Sequence, residues 1–243
     1  MNGFLSVFKR ELKGYFATPV AYVFLVIFLF FAGYLPFKDG FFEIRQAELR
    51  LFFQSLPLLF IFMVPAAAMR LWAEERKNGS IELLLTLPIT INQAVLGKFF
   101  AAWGFLGIAL LLTFPLPVTV YYLGHPDTGL IITGYIGSFL LAGTFLAIGS
   151  FFSAITKNQV ISFILSGAAC GILVYAGMPT TVNYLSTMLP ASVVALIEMM
   201  SIQSHFDSIL RGVIEMKDIA YFIILIVAWI GACTVVLEER KAA

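Results

Sequence analysis

The residues of this chain that could do chemistry lie mostly in residues 70–98, a charged stretch between two long apolar runs. We call this stretch the polar island. The run Glu74-Glu75-Arg76 lies near its start, and paired carboxylates can serve as a general acid and base. The two histidines, His125 and His205, fall on the opposite side of the membrane in the topology given below. Because catalytic groups must meet within hydrogen-bond reach, we predict no catalytic residue and no metal site.

Cofactor chemistry is not expected in this chain either. It contains no GxxxxGK[ST] sequence, the loop that holds the phosphates of a nucleotide. Cys170 and Cys233 each lie inside an apolar run, which is more typical of packing residues than of a disulfide or a metal pair. The formal net charge of +1 gives no electrostatic footprint for nucleic acid.

The composition is that of an integral membrane protein. Hydrophobic residues make up 60% of the chain and charged residues only 12%, whereas soluble domains carry about 25% charged residues. A helix needs about 20 apolar residues to cross the hydrocarbon core. We therefore predict an all-α membrane protein, a single domain over residues 1–243, with six transmembrane helices at 17–37, 51–69, 99–123, 130–155, 160–178 and 219–237.

Two further segments flank these spans. Residues 2–16 place aromatic and aliphatic side chains on one helical face and cationic ones on the other, which predicts an amphipathic helix in the headgroup layer. Residues 179–218, which we call the outer segment, contain an apolar stretch at 182–197 that is short for a crossing and is broken by Pro190. We expect re-entrant helices there, which dip into one leaflet and return before the last span.

The distribution of Lys and Arg predicts the orientation, because short cytoplasmic loops are enriched in these residues. With six crossings, both termini, the polar island and the loop at 156–158 share the side that is richer in Lys and Arg. A seventh crossing at 182–197 would move the basic C-terminal tail to the other side. Both termini are therefore expected in the cytoplasm.

Within the polar island, Asn78-Gly79 is a turn signal, and Ser80 can cap a helix over residues 81–87. Glu82 would lie in the first turn of that helix, where a negative charge suits the exposed amides, and Pro88 would end it. Thr90 and Gln93 have capping-box spacing for a second helix that runs into the third span. The first helix could transmit a push to the bundle, or it could simply rest its leucines on lipid headgroups. Composition favours neither of these two interpretations.

Several phrases of the polar island resemble one protein family. They are Glu74-Glu75-Arg76, Gly79-Ser80, Glu82-Leu83-Leu84-Leu85, Leu87-Pro88-Ile89 and Gly97-Lys98. Together they are similar to the EER…GT-x-E-LLL-x-LPI…GK pattern of the permease subunits of type-2 ABC exporters, with Ser80 where Thr is usual. The resemblance covers essentially the whole chain. It is nearest to the gliding-motility and multicopper-enzyme-maturation branch, which the phrases His205-Phe206, Arg211-Gly212-Val213-Ile214 and Asp218 also resemble.

The resemblance implies that residues 80–87 form the coupling helix, which docks in a groove of a separate ATPase subunit. The implied coupling residues are Glu74, Glu75, Arg76, Gly79, Ser80, Ile81, Glu82, Leu83, Leu84 and Pro88, with Lys157 as a smaller second contact. The outer segment would form an outer gate, with Pro190, Glu198, His205, Arg211 and Asp218 as its candidate residues.

The resemblance also implies the assembly and its location. ATP and Mg would bind two copies of the partner ATPase, and the permease would pair with a second copy or a paralogue. An auxiliary envelope protein is a further partner that the family analogy allows, and the bacterial inner membrane is the implied location. Export is favoured over import by family analogy alone, and the residues do not identify the cargo.

The sequence offers three alternatives to an ATP-driven exporter subunit, and its residues argue against two of them. An ion-coupled carrier usually buries ionisable residues in its spans, and the six predicted spans carry none, which favours an external energy source. Intramembrane proteases that use a glutamate pair carry an arginine three residues beyond it, whereas Arg76 follows the pair directly. The third alternative is a membrane subunit that does mechanical work on envelope proteins without transport.

Overall fold

The computed structural model describes residues 3–38, 48–79 and 89–242, and within these ranges all regular structure is helical. The helices are α1 (Gly3–Ala17), α2 (Pro19–Lys38), α3 (Arg50–Ala68), α4 (Ala73–Lys77), α5 (Ile91–Leu111), α6 (Pro115–Leu123), α7 (Thr128–Ile155), α8 (Gln159–Tyr175), α9 (Pro179–Ser186), α10 (Ala191–Met200), α11 (Ile202–Ile209) and α12 (Met216–Ala242).

Five helical stretches in the described residues are long and apolar enough to cross a membrane. They are Pro19–Lys38, Arg50–Lys77, Ile91–Leu123, Thr128–Ile155 and Met216–Glu239. A sixth crossing results if α8 and α9, which are bent by 71° relative to each other, count as one span. Each predicted span overlaps one of these stretches, and the chain is an integral membrane protein.

The centre of the bundle is built from α3 and α7, which are the most deeply buried spans. Small residues on α7 allow close packing. A Cβ atom at Gly134 would lie 2.6 Å from the Phe53 ring, and one at Gly143 would lie 2.7 Å from the Trp103 ring. Glycine is thus required at both positions, because it lets large aromatic rings approach the helix backbone.

The helical stretch of the third span begins before the predicted span and is broken inside it. Its helix α5 begins eight residues before the predicted boundary at Phe99, with the capping box that the sequence indicated: Thr90 Oγ1 accepts the Gln93 N–H, and Gln93 Oε1 accepts the Thr90 N–H. The helix then breaks after Leu111 and restarts at Pro115 as α6. Proline has no N–H and favours the first turn of a helix, which accounts for the restart.

The N-terminal helix α1 packs along the first half of α5. A Cβ at Gly97 would lie 2.8 Å from Val7 Cγ1, so the two helices meet closely there. Farther along, the Tyr15 ring stacks on Phe105 with 4.9 Å between the ring centroids. The apolar face of α1 is therefore turned at least partly toward protein. Its placement in the headgroup layer stays a prediction.

The outer segment consists of three short helices, α9 to α11, between α8 and the last span. Pro190 directly precedes α10, in the position that caps its N-terminus. The Ser201 hydroxyl accepts the Gln203 N–H at the start of α11 and donates to the Leu173 carbonyl of α8. These contacts fasten the outer segment to the bundle.

Candidate functional site

The end of α7 holds the turn between α3 and α4, where the polar island begins. Ser153 Oγ accepts the N–H groups of Trp72 and Ala73, each at 3.0 Å, and donates to the Met69 carbonyl at 3.0 Å. The Trp72 indole donates to Ser150 Oγ at 3.1 Å. The two serines lie one helical turn apart, so a single face of α7 supplies all these contacts.

The short helix α4 is fastened to the same end of α7 through Arg76. Its guanidinium donates to the Ala154 carbonyl at 2.6 Å. The last carbonyls of a helix have no partner within the helix and carry a partial negative charge. An arginine there satisfies one of them and interacts favourably with the helix dipole. Arg76 thus contacts its own chain.

A buried cation joins three helices at this point. Lys98 of α5 has only 4% of its side chain exposed, and its ammonium lies 2.7 Å from Glu75 Oε1 and 3.3 Å from Glu11 Oε1. It also lies 5.2 Å from the centroid of the Trp72 ring. A buried charge is costly without partners. The two carboxylates, from α4 and α1, offset that cost and link both helices to α5.

The Glu11 carboxyl shows the electrostatic balance of this cluster. Burial by itself raises its pKa, because the charged form is desolvated, but the positive charges of Lys98 and Arg10 more than offset this. The net result is a pKa below the ordinary value of 4.5. Glu11 is thus held as a carboxylate, the form that pairs with Lys98.

A family model described as "ABC-2 family transporter protein" matches residues 5–242, nearly the whole chain. The chain belongs to the ABC-2 family of transporter proteins. A comparison with curated proteins finds no match. As an ABC-2 permease the chain is a transmembrane transport subunit. The family implies an ATPase partner and, as a rule, a dimeric arrangement.

The predicted coupling residues of this ABC-2 permease differ in whether they contact the rest of the chain or are exposed. Glu75 and Arg76 make contacts within the chain, whereas Glu74 and Lys157 are exposed. Gly79 has a φ of +71°, a left-handed conformation that glycine adopts readily, and it forms the predicted turn. The remaining residues of the predicted coupling helix lie outside the described residues: Ser80, Ile81, Glu82, Leu83, Leu84 and Pro88.

The sequence did not indicate that Lys98 joins three helices. Its partners are 23 and 87 positions away in the chain, so no local spacing rule connects them. The available signal was a lone lysine in an apolar helical stretch, since such a residue usually needs a carboxylate partner.

On the other side of the permease, two of the predicted gate residues come together. His205 Nδ1 lies 2.7 Å from Asp218 Oδ1, and Nε2 lies 3.1 Å from the Met199 carbonyl oxygen. The ring stacks on Tyr221 with centroids 3.9 Å apart. Both ring nitrogens face acceptors, and the imidazolium form can donate to both. This contact ties α11 and the end of α10 to the start of α12.

The other predicted gate residues do not join this pair. Pro190, Glu198 and Arg211 are exposed. Within the described ranges no group of three or more His, Cys, Asp or Glu side chains is arranged to hold a metal ion. The pair of His205 and Asp218 connects α11 to α12.

Proposed function

We propose that this ABC-2 permease uses ATP hydrolysis by a separate ABC ATPase subunit to move its membrane helices and export a cargo. The observation that carries the proposal is the Lys98 cluster. The segment between α4 and α5 is flanked by these two helices. Arg76 holds α4 to α7, and the ion pair of Lys98 with Glu75 joins α5 to α4. A displacement of that segment would be passed to α5, α7 and α1 together.

The predicted coupling helix at 80–87 occupies the segment between these two flanks. In this proposal it docks on the ATPase, with Glu74 and Glu82 as polar contacts and Lys157 as a smaller second contact. Glu75 and Arg76 would serve by holding α4 in place, since they are engaged within the chain. Two ATPases would act on two permeases, either two copies of this chain or this chain and a paralogue.

The finer assignments belong to the same proposal. The permease would lie in a bacterial inner membrane with both termini in the cytoplasm, and the outer segment would form its outer gate. The phrases around His205, Arg211 and Asp218 support the gliding-motility and multicopper-enzyme-maturation branch. A member of this branch could use the same route from the coupling helix to the outer segment for mechanical work on an envelope protein.

The test is affinity purification from the native membrane in mild detergent, followed by an ATPase assay with and without vanadate. We expect a nucleotide-binding subunit at a ratio near one to one, with vanadate-sensitive turnover. Glu82→Lys should release or uncouple this subunit, because it reverses a charge at the docking helix. Glu48→Lys is the matched control, since Glu48 lies two residues before α3, at the end of that helix away from the polar island. Equal ATPase binding and stimulation in both variants would contradict the coupling assignment.

A further inference from the structure

A cleft of about 600 Å³ opens between α1, α2 and α3, beside the Lys98 cluster. This volume is in the range of sites that bind small organic molecules. One part of the cleft is apolar, with walls from α2 and α3 that include Val23, Phe24, Ile27, Met63, Ala66 and Ala67. The other part is charged and lies toward α4. The cleft is thus amphipathic along its length.

The charges at the polar end are not all engaged. Glu11 and Glu75 pair with Lys98. Arg70 and Glu74 also line the cleft, and both are exposed. In the part of the chain that the structure describes, neither of these two side chains makes an ion pair or a hydrogen bond. The polar end therefore presents one cation and one anion that are available to a ligand.

A hydroxyl donor lies in the same part of the cleft. Tyr15 lines it, and among the described residues its hydroxyl makes no hydrogen bond. Burial raises the pKa of Tyr15, and the Glu11 charge adds to this, while Arg70 acts in the opposite direction. The hydroxyl thus stays protonated, as a donor within the electrostatic range of Arg70.

We propose that this cleft binds a zwitterionic phospholipid with a phosphoethanolamine headgroup, from the leaflet that meets α1. The phosphate would lie against Arg70 and the Tyr15 hydroxyl, because arginine and hydroxyl groups donate to phosphate oxygens. The ammonium would lie against Glu74, and an acyl chain would occupy the apolar part. A free phosphate would leave the apolar walls uncovered, and an anionic lipid would leave Glu74 without a partner. The proposal does not rest on coupling to an ATPase, and it assigns the Glu74 carboxylate to the lipid in place of the ATPase contact proposed above.

The experiment is native mass spectrometry of the purified full chain with two lipids of equal acyl chains, phosphatidylethanolamine and phosphatidylglycerol. We expect the wild-type protein to retain the ethanolamine lipid preferentially. Arg70→Gln should weaken retention of both lipids roughly tenfold, the effect of losing one charge-assisted hydrogen bond. Glu74→Gln should abolish the preference for the ethanolamine lipid. Arg50→Gln, at the opposite end of α3, is the control for charge removal.

Two further arms test the location and the source of the ligand. Ala66→Phe should reduce lipid retention by filling the apolar part, whereas Ala228→Phe, at an exposed position of α12, should not. Glycerophosphoethanolamine, which has the headgroup without acyl chains, should not compete. A wild-type preference for phosphatidylglycerol, unchanged binding in Ala66→Phe, or full competition by the soluble headgroup would each overturn the proposal.

Discussion

Lys98 is the residue on which the arrangement around the polar island depends most directly. Its ammonium is nearly inaccessible to water, while the side chains of its partners Glu75 and Glu11 are 20% and 22% exposed. Removing the cation would leave two carboxylates near each other in a partly desolvated site. The carboxylates could recover some hydration, so the loss should be smaller than for a fully buried pair.

We expect Lys98→Met to lower the free energy of unfolding by about 2–4 kcal/mol. Methionine keeps much of the aliphatic volume, so the change isolates the charge. The measurement is thermal unfolding in detergent, followed by circular dichroism. Lys77→Met is the matched control, because Lys77 is exposed on α4. Equal stability of the two variants would show that the ion pairs add nothing to the fold.

Glu11 makes the same cluster sensitive to acid. Its pKa in the fold is lowered from 4.5, so its contribution to stability is fully present above that value and is lost as pH falls through the pKa in the folded state. The unfolding temperature should therefore drop on acidification below pH 4.5. Glu11→Gln should reduce this drop, whereas Glu48→Gln should leave it unchanged. An identical acid response of wild type and Glu11→Gln would refute the assignment.

Residue patterns predicted the local features of this region better than the long-range ones. Thr90 and Gln93 could be assigned to a capping box because their partners are each other's near neighbours in the chain. Gly79 could be assigned to a turn for the same reason. The contact of Lys98 with Glu11 depends on how α1 packs against α5, which no spacing in the sequence specifies.

At the scale of elements, α7 acts as the support for the turn from α3 to α4. The Ser153 hydroxyl contacts three backbone groups of that turn. Among the described residues, the hydroxyl of Ser138 on the same helix bonds only to the Gly134 carbonyl of its own helix. The sequence could not indicate that Ser153 contacts backbone groups of another element, because a serine in an apolar helix more often bonds to its own helix.

We expect Ser153→Ala to cost about 1–3 kcal/mol of stability, since two buried backbone N–H groups lose their acceptor. In a purified complex it should also reduce ATPase stimulation, if the position of α4 matters for coupling. Ser138→Ala is the matched control and should be close to neutral for both quantities. The idea that α7 supports α4 would fail if the two variants behaved alike in unfolding measurements.

At the scale of the whole molecule, the end of the fifth span is where the helices depart from the predicted boundary. Its apolar run was predicted at 160–178, whereas α8 ends at Tyr175 and the chain continues as α9 at an angle of 71°. A mean hydropathy taken over a window of residues does not reveal such a bend. Composition thus predicted an all-helical membrane bundle correctly, while the path of the chain between α8 and α12 required the geometry of the short helices.

The bend leads to a decisive labelling experiment on topology. If α8 and α9 make one bent crossing, residues 157 and 192 lie on opposite sides of the membrane, and the total of six crossings puts both termini on one side. If α8 and α9 enter and leave the same leaflet, residues 157 and 192 lie on the same side. Lys157 and Ser192 are both exposed, and the native cysteines Cys170 and Cys233 are buried, so background labelling should be low.

We expect Ser192→Cys to react with a membrane-impermeant maleimide in intact cells, and Lys157→Cys to react only after the membrane is permeabilised. This outcome follows from six crossings with the Lys- and Arg-rich side in the cytoplasm. Reaction of both cysteines under the same condition would instead mean five crossings. In that case α8 would be re-entrant, and the polar island and the C-terminal tail would lie on opposite sides. A coupling helix and a basic tail could then not both face the cytoplasm.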